Sequence, residues 1–403
     1  MLILLLAALL AAGGIALGGG GARSARAGGA TVSAAHVRLI ERRVETLRGL
    51  RFVRPVPVAV VSPAQARRDG LADYDREPAA QHRASAELLT LLGLLPAGAD
   101  LRRIESSVYG EQVAGYYDPR RRRLSLVRGA GVDDVTLAHE LTHALEDQHV
   151  DLQRLEGGRD DDASTAQQAL VEGTATLVME RYAARWPSAT PLGDALAGFT
   201  QATSGTPLPQ YTVRELIFPY LQGEQFVQAL RDADAGGWAL VDVAERARPP
   251  RTTAEILQPR RWLRARQPAA VRVGPAGAPA PGQGWRLLAS STLGEEDLAA
   301  LLTPQSGVVA ARELTAGWRG GRYALWRRGA SSGAGCGVPC RSRDAALLAV
   351  RMGSAAQAAA LGAALHGWSA RLPGGSATAV RVRGTLVRAA MAPDATLARR
   401  LAP

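Results

Sequence analysis

The segment His139-Glu140-Leu141-Thr142-His143 carries the clearest chemical pattern in the sequence. Histidines at positions i and i+4 of a helix project from one face, so His139 and His143 can bind one zinc ion through their ring nitrogens. Glu140 can then reach a metal-bound water as a general base. Two structural histidines with a chance glutamate would give the same pattern. Histidine is scarce, however, with six in 403 residues, and we therefore predict a catalytic zinc site.

A catalytic zinc ion needs a third protein ligand and one position open to water. Glu172 has apolar neighbours on both sides and falls in a predicted helix that begins after the acidic run at 160–162. We predict that Glu172 is the third ligand, with Glu180 as the next candidate. The alternative for Glu172 is an ordinary solvated helix glutamate.

Several other residues are candidates for supporting roles. Gly173 lowers helix stability, which predicts that a second helix approaches closely there, and the helix with the two histidines is the expected neighbour. Asp147 or Thr176 could accept a hydrogen bond from a ligand imidazole, but either could equally be solvated. Four phenols could stabilise an oxyanion, although core packing is an alternative role for each of them: Tyr116, Tyr117, Tyr211 and Tyr220.

The helix that carries the two histidines has recognisable ends and faces. Asp133 is its predicted N-cap, and Asp134 suits the positive end of the helix dipole. An apolar stripe faces the predicted core, and it consists of Leu137, Leu141, Ala144 and Leu145. The opposite stripe is predicted to hold the chemistry, and it consists of Thr136, His139, Glu140, His143 and Asp147.

Periodicity and turn residues predict an α+β fold in two domains. A mainly helical domain that carries the two histidines spans residues 28–267 and includes a small N-terminal sheet, and a smaller α+β domain of unknown role spans 285–403. A Pro/Gly-rich linker at 268–284 separates them. In the first domain we predict helices at 34–50 and 76–94, a strand at 56–61 and a hairpin at 112–127. In the second we predict strands at 322–326, 346–352 and 380–387 and a helix at 354–372.

The net charge of +11 does not by itself indicate a nucleic-acid partner. The sequence contains no lysine and no asparagine, and the arginines are spread along the chain, so we interpret much of the basicity as compositional. The densest run, at 120–123, has no interleaved aromatic residues that could stack on bases. We therefore expect no nucleic-acid binding.

The first 27 residues resemble a secretory signal peptide, with an apolar run followed by Ala25-Arg26-Ala27. Positive charge follows this run and does not precede it, so an uncleaved N-terminal membrane anchor is the alternative. Both predict a secreted, periplasmic or cell-envelope protein. Cys336 and Cys340 suit a small-loop disulfide in such a compartment, with two unpaired thiols as the alternative.

The residues around the motif resemble the gluzincin metallopeptidases, the thermolysin-like group in which a downstream glutamate completes the zinc site. The likeness covers residues 100–260 and is most specific to an uncharacterised bacterial "peptidase MA-like" family. It rests on Val113–Pro119, Leu137–Gln148, Ala169–Ala175, Phe218–Phe226 and Pro249–Pro259. The resemblance implies that the hairpin at 112–127 pairs with an extended substrate. Thr176 stands where thermolysin has an aspartate, which departs from that pattern.

These observations predict a zinc-dependent endopeptidase that hydrolyses peptide or protein substrates, with Glu140 as general base. The metal ligands are predicted to be His139, His143 and Glu172. The alternative is a catalytically silent, zinc-stabilised binding protein of the cell envelope. The intact Glu140 favours the enzyme.

Overall fold

A computed structural model describes residues 32–72, 74–104, 106, 114–156, 160–187, 208–266, 268–269, 271, 280–329 and 337–403. The predicted leader at 1–27 lies outside these residues. Within them, no helix combines the length and the apolar character that crossing a bilayer requires.

The part of the chain before residue 267 is mainly helical. Its described helices are α1 (Ala34–Arg48), α2 (Pro63–Leu71), α3 (Ala79–Leu91), α4 (Asp134–Asp147), α5 (Leu152–Glu156), α6 (Asp161–Arg185), α7 (Gln210–Ala233), α8 (Ala239–Arg246), α9 (Thr253–Leu257) and α10 (Pro259–Leu263). Strands β1 (Val58–Val61), β2 (Gly115–Asp118) and β3 (Arg123–Val127) form a sheet in the order β1-β3-β2. Strand β1 is parallel to β3 and β2 is antiparallel to it. The predicted helices, strand and hairpin are confirmed, except that residues 112–113 lie outside the described range.

Helix α4 lies in the centre of this part and is buried on every side. Its leucines pack against Ile40 and Val44 of α1 and Val178 of α6, and its other face lies against β2 and β3. Every residue from Val135 to Asp147 is buried. Both the apolar and the polar stripe of α4 are therefore buried, and the polar stripe faces the protein interior.

Residues 285–403 form a second sheet with helices packed against it. Strands β4 (Trp285–Thr292), β5 (Trp318–Arg328), β6 (Asp344–Met352), β7 (Ala377–Arg383) and β8 (Leu386–Ala392) are antiparallel in the order β4-β5-β6-β8-β7. Helices α11 (Glu295–Ser306), α12 (Val308–Thr315), α13 (Ala355–Ser369) and α14 (Ala395–Leu401) accompany them. Helices and two separate sheets make this an α+β fold, as predicted.

The predictions for this second part are partly right. The strands at 322–326 and 346–352 and the helix at 354–372 are confirmed. The single strand predicted at 380–387 is wrong, because Gly384, with φ of 57°, turns the chain between β7 and β8. Cys340 is disulfide-bonded, in agreement with the predicted small loop. Cys336 lies outside the described residues.

Helix α3 packs into the core of the second sheet although it precedes the linker by almost 180 residues. Leu88 and Leu91 belong to the same apolar cluster as Trp318 and Leu361. The indole of Trp368 donates to the carbonyl of Leu92 over 3.1 Å. The sheet of the second unit therefore depends on a helix from the first, and the division at 268–284 stays a prediction.

Candidate metal centre

Three side chains converge on one point between α4 and α6. The Nε2 atoms of His139 and His143 lie 3.0 Å apart, and the Oε2 atom of Glu172 lies 3.2 Å from the first and 3.4 Å from the second. Each of the three residues is 1% exposed. These residues can hold a metal ion, and they form the only such group of His, Cys, Asp and Glu side chains in the described part of the chain.

The ends and neighbours of α4 and α6 fix the positions of these ligands. The carboxylate of Asp133 caps α4 as predicted, because its Oδ1 accepts from the amides of Val135 and Thr136. Asp160 caps α6 by accepting from the amide of Ala163. Glu172 then falls near the middle of this 25-residue helix, where it faces the two histidines.

The neighbour of Gly173 differs from the prediction. A Cβ atom at Gly173 would lie 2.1 Å from the backbone carbon of Gly223 in α7, and one at Gly223 would lie 1.9 Å from the carbonyl oxygen of Ala169. Only glycine fits where two helix backbones approach this closely. The close approach is confirmed, but the partner helix is α7 and not the helix with His139 and His143.

Glu140 lies beside the three ligands and is held by the sheet. Its Oε2 accepts a hydrogen bond of 2.7 Å from the backbone amide of Tyr117 in β2. Burial raises the pKa of Glu140 to about 7, although His143 and the Tyr117 amide both oppose that rise. A carboxyl group with such a pKa can both accept and release a proton near neutrality.

The three converging residues are electrostatically matched. Burial would raise the pKa of Glu172, but the two histidines outweigh it and hold the pKa at about 2. Burial lowers the pKa of His139. Burial would lower the pKa of His143, but Glu172 and, to a smaller extent, Glu140 and Asp147 together outweigh it and raise the pKa. Glu172 is thus an ionised carboxylate in the protein interior, facing two imidazoles.

The proposed supporting groups have other partners or none in the described structure. Asp147 accepts from the hydroxyl of Tyr117 over 2.8 Å and from the amide of Leu152. The hydroxyl of Thr176 and the Nδ1 atoms of both histidines are buried without a hydrogen-bond partner among the described residues. Glu180 lies two turns beyond Glu172, outside the converging group.

The four candidate tyrosines differ in their surroundings. The hydroxyl of Tyr116 donates to Asp69 and that of Tyr117 to Asp147. Burial raises the pKa of Tyr211, and the charge of Glu215 raises it further. The ring of Tyr220 stacks near the ring of His139, with centroids 6.1 Å apart. Tyr220 is therefore the phenol that the structure brings to the centre.

A buried ion network that no sequence pattern predicted connects the helices of this centre. Arg48 of α1, whose side chain is fully buried, binds Glu146 of α4 over 3.1 Å and Glu245 of α8 over 2.9 Å. Asp242 is its third partner, at 2.7 Å. The hydroxyl of Thr174, in α6, donates to Glu245 over 3.3 Å. The network joins both ligand-bearing helices, but its members are too far apart in sequence for any local pattern to reveal it.

Comparisons with protein-family models, with curated proteins and with solved structures found no match.

Proposed function

We propose that this protein is a zinc-dependent endopeptidase of the gluzincin type that acts on peptide or protein substrates outside the cytoplasm. The observation that carries the proposal is the convergence of His139, His143 and Glu172 on one point, with Glu140 beside them. If the five-residue pattern had arisen by chance, there would be no reason for a glutamate 33 positions from His139 to lie against both histidines.

The spacing of the three ligand atoms suits zinc. Zinc binds histidine nitrogen and carboxylate oxygen at about 2.0–2.2 Å, so two ligands of a tetrahedral ion lie about 3.4 Å apart. The separations of 3.0, 3.2 and 3.4 Å are close to that value. Two neutral imidazoles and one carboxylate also form a ligand set known from catalytic zinc sites.

Glu140 is the proposed proton carrier. A bound zinc ion would supply Lewis acidity to a water molecule and to the scissile carbonyl. The amide of Tyr117 fixes the carboxylate of Glu140 through Oε2, so Oε1 is the atom that takes the proton from water and passes it to the leaving amine. The pKa of about 7 suits both transfers.

The edge of β2 is the proposed site for an extended substrate. Among the described strands, β2 pairs only with β3. The amide of Tyr117 points away from β3 toward Glu140, so a peptide along that edge would run past the proton carrier. An extended segment gains main-chain hydrogen bonds in this arrangement.

Tyr220 is the proposed donor to the oxyanion. Its ring lies beside the ring of His139. A hydroxyl held near the metal can stabilise the charge that develops on the carbonyl oxygen.

One observation favours the rival, a zinc-stabilised binding protein without turnover. The side chains of His139, Glu140, His143 and Glu172 are 1–3% exposed, and a structural zinc site is closed whereas a catalytic one keeps an open position. The presence of Glu140, which no structural site needs, favours the enzyme.

The test combines metal analysis with cleavage. The full-length protein, purified without a metal-binding tag, is assayed for bound zinc by elemental analysis and for cleavage of an unfolded protein substrate. We expect about one zinc per chain. Glu172→Ala should lose it, whereas Glu140→Gln should retain it and lose cleavage. Glu180→Gln, a change of another glutamate on α6, is the matched control and should retain both.

Each result has a defined meaning. Zinc in the wild type but not in Glu172→Ala, with cleavage only when Glu140 is present, would support the peptidase. Zinc without cleavage in any variant, across a library of unfolded substrates, would favour the binding protein. A folded protein that takes up no zinc when supplied with it would overturn both.

A further inference from the structure

A cavity of about 890 Å³ lies on the side of α6 opposite the metal centre. It opens between the first turns of α6, the segment that follows α8 and strand β5 of the second sheet. Ala163 lines it, and Ala163 and Glu172 are nine positions apart, which places them on opposite faces of the helix. The cavity is therefore distinct from the metal centre.

A smaller cavity of about 270 Å³ adjoins it, because both are lined by Thr252, Glu255 and Trp318. The two together form what we call the arginine cleft. Its outstanding feature is eight arginine side chains against three carboxylates. The arginines of the larger cavity are Arg154, Arg246, Arg248, Arg251 and Arg322. Those of the smaller cavity are Arg261, Arg266 and Arg319.

The three carboxylates of the arginine cleft are engaged by other groups. Asp160 caps α6 and accepts from the hydroxyl of Thr292 over 2.7 Å. Glu245 binds Arg48 in the buried network. Glu255 accepts from the backbone amide of Arg251 over 2.6 Å. Within the described residues, none of the eight guanidinium groups forms an ion pair, whereas Arg48, Arg214 and Arg327 do so elsewhere.

The positions of two arginines fit a site with a strong excess of positive charge. The guanidinium of Arg248 lies 3.9 Å from the ring centre of Trp262, and its buried Nε atom has no hydrogen-bond partner among the described residues. Trp262 is itself buried, so it supports Arg248 as a rigid platform. Burial lowers the pKa of Arg261. Glu295 opposes that shift, whereas Arg319 and Arg266 repel its charge and lower the pKa further. An anion in the cleft would relieve this mutual repulsion.

We propose that the arginine cleft binds a compact polyanion of the phosphate class. Guanidinium groups match the oxygens of phosphate with two parallel hydrogen bonds each. An excess of five positive charges around the two cavities favours a ligand with several charges in a short length. A phosphate carries about −1.5 to −2 at neutral pH, whereas an acidic peptide carries one charge per residue over about 3.4 Å of chain.

The experiment measures tripolyphosphate binding to the full-length protein by isothermal titration calorimetry at 0.15 M salt. The double variant Arg248→Gln/Arg322→Gln removes two positive charges from the cleft. The matched control is Arg381→Gln/Arg383→Gln, which removes two from exposed positions of β7. Each lost charge-assisted hydrogen bond is expected to weaken binding about tenfold. The cleft variant should therefore bind at least tenfold more weakly, and the control should stay within about twofold of wild type. Thermal unfolding verifies that both variants are folded.

Two further ligands identify the source and the class of the anion. Vesicles of phosphatidylglycerol that bind only when the cleft is intact would support the phosphate chemistry and identify a lipid headgroup as its source. Binding of free tripolyphosphate alone would identify a soluble ligand. A hexaglutamate peptide that binds as tightly as tripolyphosphate would overturn the phosphate assignment. Equal weakening in the control variant, or no binding of tripolyphosphate to wild type, would overturn the site itself.

Discussion

Gly173→Ala tests the packing that brings Tyr220 to the metal centre. A Cβ atom at this position would lie 2.1 Å and 2.3 Å from the carbon and oxygen of Gly223, and 2.7 Å from the amide nitrogen of Glu224. Ordinary contact begins at 3.4 Å. Because the shortest distance is 2.1 Å, α7 would have to move away by more than 1 Å. All three obstructing atoms belong to backbone, and no change of rotamer can relieve the overlap.

Two effects of opposite sign set the magnitude. Alanine is a better helix former than glycine by about 1 kcal/mol. Overpacking a close contact costs about 1–3 kcal/mol, and the upper end applies where backbone must shift. We therefore expect Gly173→Ala to lower the free energy of unfolding by about 2 kcal/mol. Tyr220, one turn before Gly223 on α7, should move away from His139 as well.

The matched control is Gly367→Ala in α13. This glycine is exposed, and its added Cβ would meet only a glutamine side-chain oxygen at 3.8 Å. The control should gain up to about 1 kcal/mol from helix propensity. Urea unfolding followed by circular dichroism measures both variants against wild type. If Gly173→Ala were as stable as Gly367→Ala, the close crossing of α6 and α7 would be wrong.

Three shorter predictions concern the network, a buried acid and the proposed oxyanion donor. Arg48→Met should lower the free energy of unfolding by about 3–5 kcal/mol, because it leaves buried carboxylates without their cation. The control is Arg51→Met, which removes an arginine that is 87% exposed in its ion pair. In the same urea assay it should change the free energy of unfolding by less than about 1 kcal/mol. Burial raises the pKa of Glu295 from 4.5 to about 7, so the folded state binds this proton more tightly than the unfolded chain. Ionisation of Glu295 should therefore remove about 2–3 kcal/mol of stability as pH rises from about 5 to about 8, in addition to the contribution of Glu140. A Glu295→Gln variant with an equally steep loss would contradict this. Tyr220→Phe should retain zinc and lower kcat about 100-fold, whereas Tyr116→Phe should leave kcat unchanged; equal kcat values in these two variants would remove Tyr220 from the mechanism.

The candidate metal ligands could be predicted from the sequence because their signals are local. His139 and His143 are four residues apart on one helix, and that spacing alone places both rings on one side. Glu172 stood out because apolar residues flank it. Its approach to the histidines depends on how α4 and α6 pack, which local periodicity does not specify.

The tertiary partners could not be predicted for the same reason. Gly173 indicated a close contact without naming the other helix, and the partner proved to be α7. The polar stripe of α4 was predicted to hold the chemistry, but its hydrogen-bond partners inside the protein could not be predicted. Tyr117, for example, provides both the amide that holds Glu140 and the hydroxyl that binds Asp147. Strands β7 and β8 were merged because a two-residue turn interrupts an otherwise continuous strand pattern.

The way this chain buries carboxylates gives a physical reason to expect a metal cation beside Glu172. Burying an ionised carboxylate costs several kcal/mol unless a positive partner compensates for it. Glu87 pairs with Arg327 over 2.6 Å and Glu146 with Arg48 over 3.1 Å. Glu172 is equally buried, yet its only ion-pair partners in the described part of the chain are two imidazoles that are themselves buried. A divalent ion bound to all three residues would supply the compensating charge that arginine supplies elsewhere, and this is the physical reason to measure metal content before activity.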